Sequence, residues 1–101
     1  MKNAPDAWAK RAKSEGYRSR ASYKLLEIDK KHKLISKSNL ILELGSSPGG
    51  WSQVISKNKK SDCECIAIDL LDMKEVEGID FYKIDLYSDH FNEKVLKYNQ
   101  S

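Results

Sequence analysis

Long apolar runs are missing from this 101-residue sequence, and none approaches the roughly 20 residues that a membrane-spanning helix needs. The N-terminus, with Lys2, Asp6, Lys10 and Arg11, also lacks the apolar centre of a secretory signal. Cysteine and proline are scarce, at two residues each. Cys63 and Cys65 lie one residue apart, too close for an unstrained bridge and too few to staple a secreted fold. With only His32 and His90 elsewhere they do not make a four-ligand zinc site, so no metal is expected. These absences point to one small, soluble, cytoplasmic domain with no membrane segment.

Charge is present in quantity and unevenly distributed. Residues 1–39 hold 11 basic and 4 acidic side chains, whereas residues 40–101 hold 7 and 11, a contrast of +7 against −4. A cationic segment is the usual footprint of a polyanionic partner; a solvated lysine-rich surface is the other reading. The expected division is a basic helical segment over 1–39 and an α/β body over 40–101.

The pattern along the chain predicts a helix over Asp6–Ser14, ended by Gly16, and a second from an N-cap at Ser19 to about His32. Ala21, Leu25, Ile28 and His32 recur at helical spacing and predict its buried stripe. After a polar break at 36–39, Leu40–Leu44 reads as a buried strand. Gly45-Ser46-Ser47-Pro48-Gly49-Gly50 follows, then Trp51, Val54 and Ile55 at helical spacing, so a glycine loop opens a helix. Lys57–Asp62 reads as a polar turn. Strands are predicted over Cys63–Asp69 and Ile79–Ile84, and a last helix over His90–Tyr98, with Phe81, Tyr82, Phe91 and Tyr98 in the core. Strand, glycine loop, helix, strand, strand, helix opens a doubly wound α/β sheet, here its N-terminal half, in the order 3-2-1.

A glycine loop between strand and helix places a ligand at the carboxyl end of the sheet. Its spacing, G-x-x-x-G-G, is neither the dinucleotide G-x-G-x-x-G nor a P-loop. Gly45 is expected to make the tight turn, while Gly49 and Gly50 permit close backbone approach. Asp69, 24 residues after Gly45, stands at the distance at which a strand-end acid meets a ribose diol, and Asp85 closes the third strand where a carboxylate can accept from an adenine amine. Together they outline an adenosine-containing ligand. Either acid alone reads as well as a cap for the structure that follows it.

Three motifs then occur in order: Arg18-Ser19-Arg20-Ala21-Ser22-Tyr23-Lys24-Leu25, Leu44-Gly45-Ser46-Ser47-Pro48-Gly49-Gly50-Trp51-Ser52-Gln53, and Asp69-Leu70-Leu71. From Trp8 to about Asp85 the sequence resembles the RrmJ/FtsJ family of S-adenosylmethionine-dependent RNA ribose 2′-O-methyltransferases. Its bacterial members acting on a uridine ribose of large-subunit ribosomal RNA look closest. The resemblance implies a Rossmann-like fold, S-adenosylmethionine as cofactor, and ribosomal RNA of the large subunit as partner. It implies that Gly49 and Trp51 contact the methionine end of the cofactor, that Asp69 holds its ribose and that Asp85 lies near its adenine. Glu43 takes the acidic position at the end of the first strand, facing the cofactor's amino group, and Lys24 matches the first member of a catalytic Lys-Asp-Lys-Glu set.

Read without the family, Lys24 lies on the flank of an apolar stripe, as a snorkelling surface lysine does. Lys10, Arg11, Lys13, Arg18 and Arg20, interleaved with Trp8 and Tyr17, suit RNA phosphates and bases, although a tryptophan placed like Trp8 is more often a helix-packing anchor than a stacking platform. The second, third and fourth catalytic positions of the family have no counterpart before Ser101. The expectation is therefore an N-terminal fragment of such an enzyme whose first strand is an apolar edge. A noncatalytic RNA- or nucleoside-binding module is the alternative, and an NAD-dependent oxidoreductase fragment is a third reading that the glycine spacing opposes.

Overall fold

In a computed structural model, which describes residues 6–85, a parallel three-stranded sheet carries helices on one face. Helix α1 (Ala7–Ser14) starts because the Asp6 carboxylate accepts from the Trp8 N–H at 2.8 Å. It stops at Gly16, where φ is +87° and the N–H groups of Gly16 and Tyr17 return to the carbonyls of Lys13 and Ala12. Helix α2 (Ala21–His32) begins two residues after the expected cap, although the Ser19 hydroxyl still accepts from the Ala21 N–H at 3.1 Å.

The buried side of α2 is Ser22 and Leu25, with Leu26, Ile28 and Asp29 half-buried; Ala21 and His32, expected in the stripe, are exposed. The helix is turned by about one residue from the expected stripe because Ser22 packs against the glycine loop, a contact that apolar periodicity does not register. A short helix α3 (Leu34–Lys37) occupies part of the expected polar break, its Ile35 buried and its N–H bonded to the Asp29 carboxylate at 2.8 Å.

Strand β1 (Leu40–Leu44), helix α4 (Gly50–Asn58) and strand β2 (Glu64–Asp69) form a βαβ unit, and β3 (Asp80–Lys83) pairs with the far side of β2. Both pairings are parallel, with Leu42 opposite Ile66, Leu44 opposite Ile68 and Ile68 opposite Tyr82. Strand β1 has the expected limits, β2 starts one residue late and β3 is one residue shorter at each end, while α4 runs on through Lys57 and Asn58, placed in a turn by the sequence.

Register partners in a parallel sheet share a face. Ile41, Cys65, Ala67 and Phe81 point toward the helices and pack with Leu25, Ile35, Val54 and Ile55. Val76 and Ile79 of the β2–β3 connection complete this layer. Ile66, Ile68, Tyr82 and Ile84 form a second cluster on the opposite face. Leu40, Leu42 and Leu44 continue that second face across β1 but stay 45%, 42% and 52% exposed, so the strand read as buried is open on one side. The free cysteines Cys63 and Cys65 are buried in the helix-side layer, where burial foremost pushes the Cys65 thiol up to about 12.

Among the described residues no helix is long and apolar enough to cross a membrane. The expected helix over His90–Tyr98, with Phe91 and Tyr98, lies outside the described residues.

Candidate cofactor crevice and acceptor groove

Parallel register sets the carboxyl ends of all three strands side by side. The N–H groups of Gly45 and Ser46 both bond the Ile68 carbonyl, at 2.7 and 3.2 Å, and the Ile84 N–H bonds the Asp69 carbonyl at 3.0 Å. Gly45, Asp69 and Asp85 therefore follow one another across the sheet end.

Gly45 is glycine for its backbone, whose φ of +74° lies in the left-handed region; a Cβ there would meet nothing within 4 Å. It lines a cavity of about 530 Å³ together with Ser19, Ala21, Glu43, Ser46, Ser47, Gly50 and Trp51, with an apolar wall of leucines and isoleucines. Ser46 Oγ is buried and, among the described residues, is the side-chain oxygen or nitrogen that finds no hydrogen-bond partner in the interior. A buried hydroxyl in that state is suited to a ligand or an ordered water.

Glu43, on β1, is half-buried beside it and accepts from Ser52 Oγ at 2.5 Å. Burial raises its carboxyl above the usual range and the nearby Asp69 adds to this, while the Ser52 bond opposes it.

Gly49 and Gly50 permit close approach, as expected, and the structure shows what approaches. A Cβ on Gly49 would lie 2.7 Å from Arg18 Nη1 and 3.2 Å from Met73 Sδ; one on Gly50 would lie 2.7 Å from the hydroxyls of Ser19 and Ser22. The close approach they allow is to the protein's own basic segment. Ser22 Oγ donates to the Gly50 carbonyl at 2.9 Å, Trp51 Nε1 to the Ala21 carbonyl at 2.8 Å, and the Gln53 amide bridges the Gly16 carbonyl and the Arg18 N–H. Arg18, expected to meet RNA phosphates, is turned onto the protein: its guanidinium donates to the carbonyls of Pro48, Lys74 and Glu75 at 3.1, 2.6 and 2.8 Å. Sequence reading missed this seam. Its signal was the small residues Ser19, Ala21 and Ser22 matched by the small pair Gly49-Gly50.

Asp69 ends β2 with its carboxylate turned toward the loops, accepting from the Ser47 N–H at 2.8 Å and the Leu71 N–H at 3.0 Å. The Leu71 N–H foremost, then those of Ser47 and Leu70, hold it below the ordinary carboxylate range. The cavity thus gathers Glu43, Gly45, Gly50 and Trp51, whereas Gly49, Asp69 and Asp85 stand outside its wall.

Lys24 is elsewhere again. It is exposed, pairs with Glu27 at 3.5 Å and lines a separate groove with Trp8, Arg11, Tyr17, Arg20 and Tyr23. Ala21 lines both spaces, so the two hollows meet at one residue. Lys10 and Lys13 are exposed on α1, and Arg20 is paired with Asp6.

Residues 17–100 match the FtsJ-like methyltransferase family. The chain belongs to that family. Among FtsJ-like relatives, a ribosomal RNA large subunit methyltransferase E of Neorickettsia sennetsu is 53% identical over 81 residues, covering 80% of this chain and 38% of that protein. The protein of the same name from Rhodopseudomonas palustris is 44% identical over 94 residues, covering 90% and 40%. A crystal structure of a ribosomal RNA methyltransferase from Plasmodium falciparum superposes with a TM-score of 0.62 at 34% identity, over 79% of this chain and 49% of that one. The chain spans about two fifths of the length of these curated FtsJ-like relatives.

Proposed function

We propose that this chain carries the cofactor loop and one acceptor-side lysine of an S-adenosylmethionine-dependent methyltransferase acting on a ribose 2′-hydroxyl of large-subunit ribosomal RNA. The observation that carries the reading is the meeting of the two hollows at Ala21. One holds the open glycine turn, an unpartnered Ser46 hydroxyl and the Glu43 carboxylate; the other holds Lys24 among cations and aromatic rings. A donor site and an acceptor site that share a wall are what group transfer requires, because positioning supplies much of the rate.

S-adenosylmethionine supplies, when bound, a methyl group on a sulfonium sulfur. Gly45 leaves room at the sheet end, Glu43 offers a carboxylate to an ammonium, and Ser46 offers its hydroxyl. The Trp51 ring, fixed by its bond to Ala21, closes one side. Asp69 and Asp85 extend the same edge toward a ribose and an adenine. Lys24 then holds the acceptor 2′-oxygen and stabilises charge as its proton leaves. The curated relatives' names, which specify large-subunit ribosomal RNA, support the choice of substrate.

The test has two arms. Equilibrium dialysis of the chain against labelled S-adenosylmethionine and labelled NAD is expected to give saturable binding of the first and none of the second; the reverse would refute the methyltransferase reading. In a chimera joining residues 1–85 to the remainder of the Neorickettsia sennetsu relative, Lys24→Ala is expected to lower methyl transfer to ribosomal subunits by roughly 10²-fold or more with cofactor affinity unchanged. Full turnover in that variant would leave Lys24 a surface lysine.

A further inference from the structure

The groove that contains Lys24 is walled by an aromatic and cationic stack that the reaction chemistry does not use. Trp8 and Tyr23 meet with ring centroids 5.5 Å apart and planes tilted by 54°, and Tyr17 meets Tyr23 edge-on at 5.6 Å. The Arg11 guanidinium lies against both of the first two rings, 5.4 Å from the Trp8 centroid and 4.9 Å from the Tyr23 centroid. Glu15 fixes this arrangement by accepting from Arg11 Nε at 3.2 Å and from the Tyr23 hydroxyl.

A tryptophan that only anchored α1 to α2 would have its surface covered. Trp8 is 52% exposed, and the one buried residue of its helix is Ala12. What Trp8 offers to solvent is a flat apolar surface backed by a cation, beside further cations Arg20, Lys24 and Lys30. The groove carries four basic side chains against the two carboxylates Glu15 and Glu27, with Asp6 paired to Arg20 beside it. A ligand complementary to it is planar and apolar on its faces and anionic along one side, which describes an unpaired nucleotide. Duplex nucleic acid conceals its base faces.

We propose that Trp8, with Arg11 and Tyr23 behind it, is a stacking platform for an unpaired RNA base that neighbours the ribose held at Lys24. The proposal rests on the RNA methyltransferase reading and adds a base-binding subsite to it. Stacking is sequence-tolerant, so the platform seats the strand in register with Lys24 while leaving the choice of base to other contacts.

The test measures binding of fluorescein-labelled single-stranded RNA to the full chain by anisotropy, for the parent, Trp8→Ala and Trp8→Phe. Each is measured with intact RNA and with a strand of the same length made of abasic nucleotides. On intact RNA, Trp8→Ala is expected to bind about 5- to 100-fold more weakly, with the salt slope unchanged, and Trp8→Phe to keep most of the affinity. Lys30→Gln, at an exposed cation of the same groove, is by contrast expected to lower the salt slope by about 0.7. On the abasic strand the parent should fall to the level of Trp8→Ala. That ligand-side comparison needs no variant, so it decides the matter even where Trp8→Ala unfolds. Equal binding of intact and abasic strands by the parent, or equal binding of intact RNA by a folded Trp8→Ala, overturns the platform alone. Failure of the parent to bind any RNA at low salt overturns the RNA reading with it.

Discussion

At the scale of single residues, Glu43 is a half-buried acid kept at a cost to stability. Its carboxyl is raised because the half-buried carboxylate is poorly solvated. A raised acid favours the protonated form in the folded state. Its stabilising contribution is therefore complete below the ordinary glutamate range and is lost as pH rises through the raised value. Near neutral pH the ionised side chain works against folding. Glu43→Gln keeps the shape and the acceptor for Ser52, so its melting temperature relative to the parent should be more favourable at pH 7.5 than at pH 4. Its affinity for S-adenosylmethionine should fall. Parallel thermal melts by circular dichroism at the two pH values read the first effect; a variant penalised more at pH 7.5 would mean that the carboxylate is well compensated. Asp69 is the opposite case, an acid held low by backbone N–H groups and thereby an organiser of the loop that surrounds the site.

At the scale of elements, the seam between α2 and the start of α4 decides how the two hollows are oriented. Alanine in place of Gly50 would ordinarily help a helix by up to about 1 kcal/mol. Here the added carbon would fall 2.7 Å from two hydroxyls, one of them on the fully buried Ser22, and overpacking of that kind costs about 1–3 kcal/mol. The clash should win, and Gly50→Ala should melt lower by several degrees. Adding Ser22→Ala should recover part of the loss, because the two positions share one contact. A strictly additive pair, measured by thermal denaturation, would place the strain elsewhere.

The same elements show what was legible in the sequence. The βαβ unit was readable because Leu40–Leu44, the glycine loop and Val54-Ile55 announce strand, turn and helix through their own periods. The face of α2 was not, because Ser22 is buried for its hydroxyl and its small size rather than for apolarity. The candidate site divides in the same way. The placement of Glu43 and Gly45 at the end of the first strand and of Lys24 on the exposed flank of its helix was legible from position and residue type, whereas the inward turn of Arg18 depends on carbonyls 30 to 57 residues away. Close approach at Gly49 and Gly50 was legible, but a glycine does not report what approaches, and the contact with Arg18, Ser19 and Ser22 had to be seen.

At the scale of the whole molecule, the described sheet is covered by helices on one face and bare on the other. Among the described residues nothing pairs with the free edge of β1, and Leu40, Leu42 and Leu44 form an exposed row on the bare face beside it. Apolar edges of this kind template association with further strands. The chain is expected to self-associate as its concentration rises, and Leu42→Lys, which places a charge on an already exposed position, should shift it toward monomer without lowering helical content. Light scattering across a concentration series reads the outcome; a parent that stays monomeric throughout would show that the edge is protected.

The Arg18 clamp has a further consequence, in time rather than in space. Its carbonyl partners at Lys74 and Glu75 are synthesised 56 and 57 residues after it. At roughly 5–20 residues per second of translation, they follow Arg18 by about 3 to 11 s. During that interval Arg18 can reach the Pro48 carbonyl at most, because its other two partners do not yet exist. The seam bonds of Ser22, Trp51 and Gln53 need nothing beyond residue 53, whereas the full Arg18 clamp closes only after residue 75 has been added. On the ribosome, an arginine made early is among the last of these contacts to be secured.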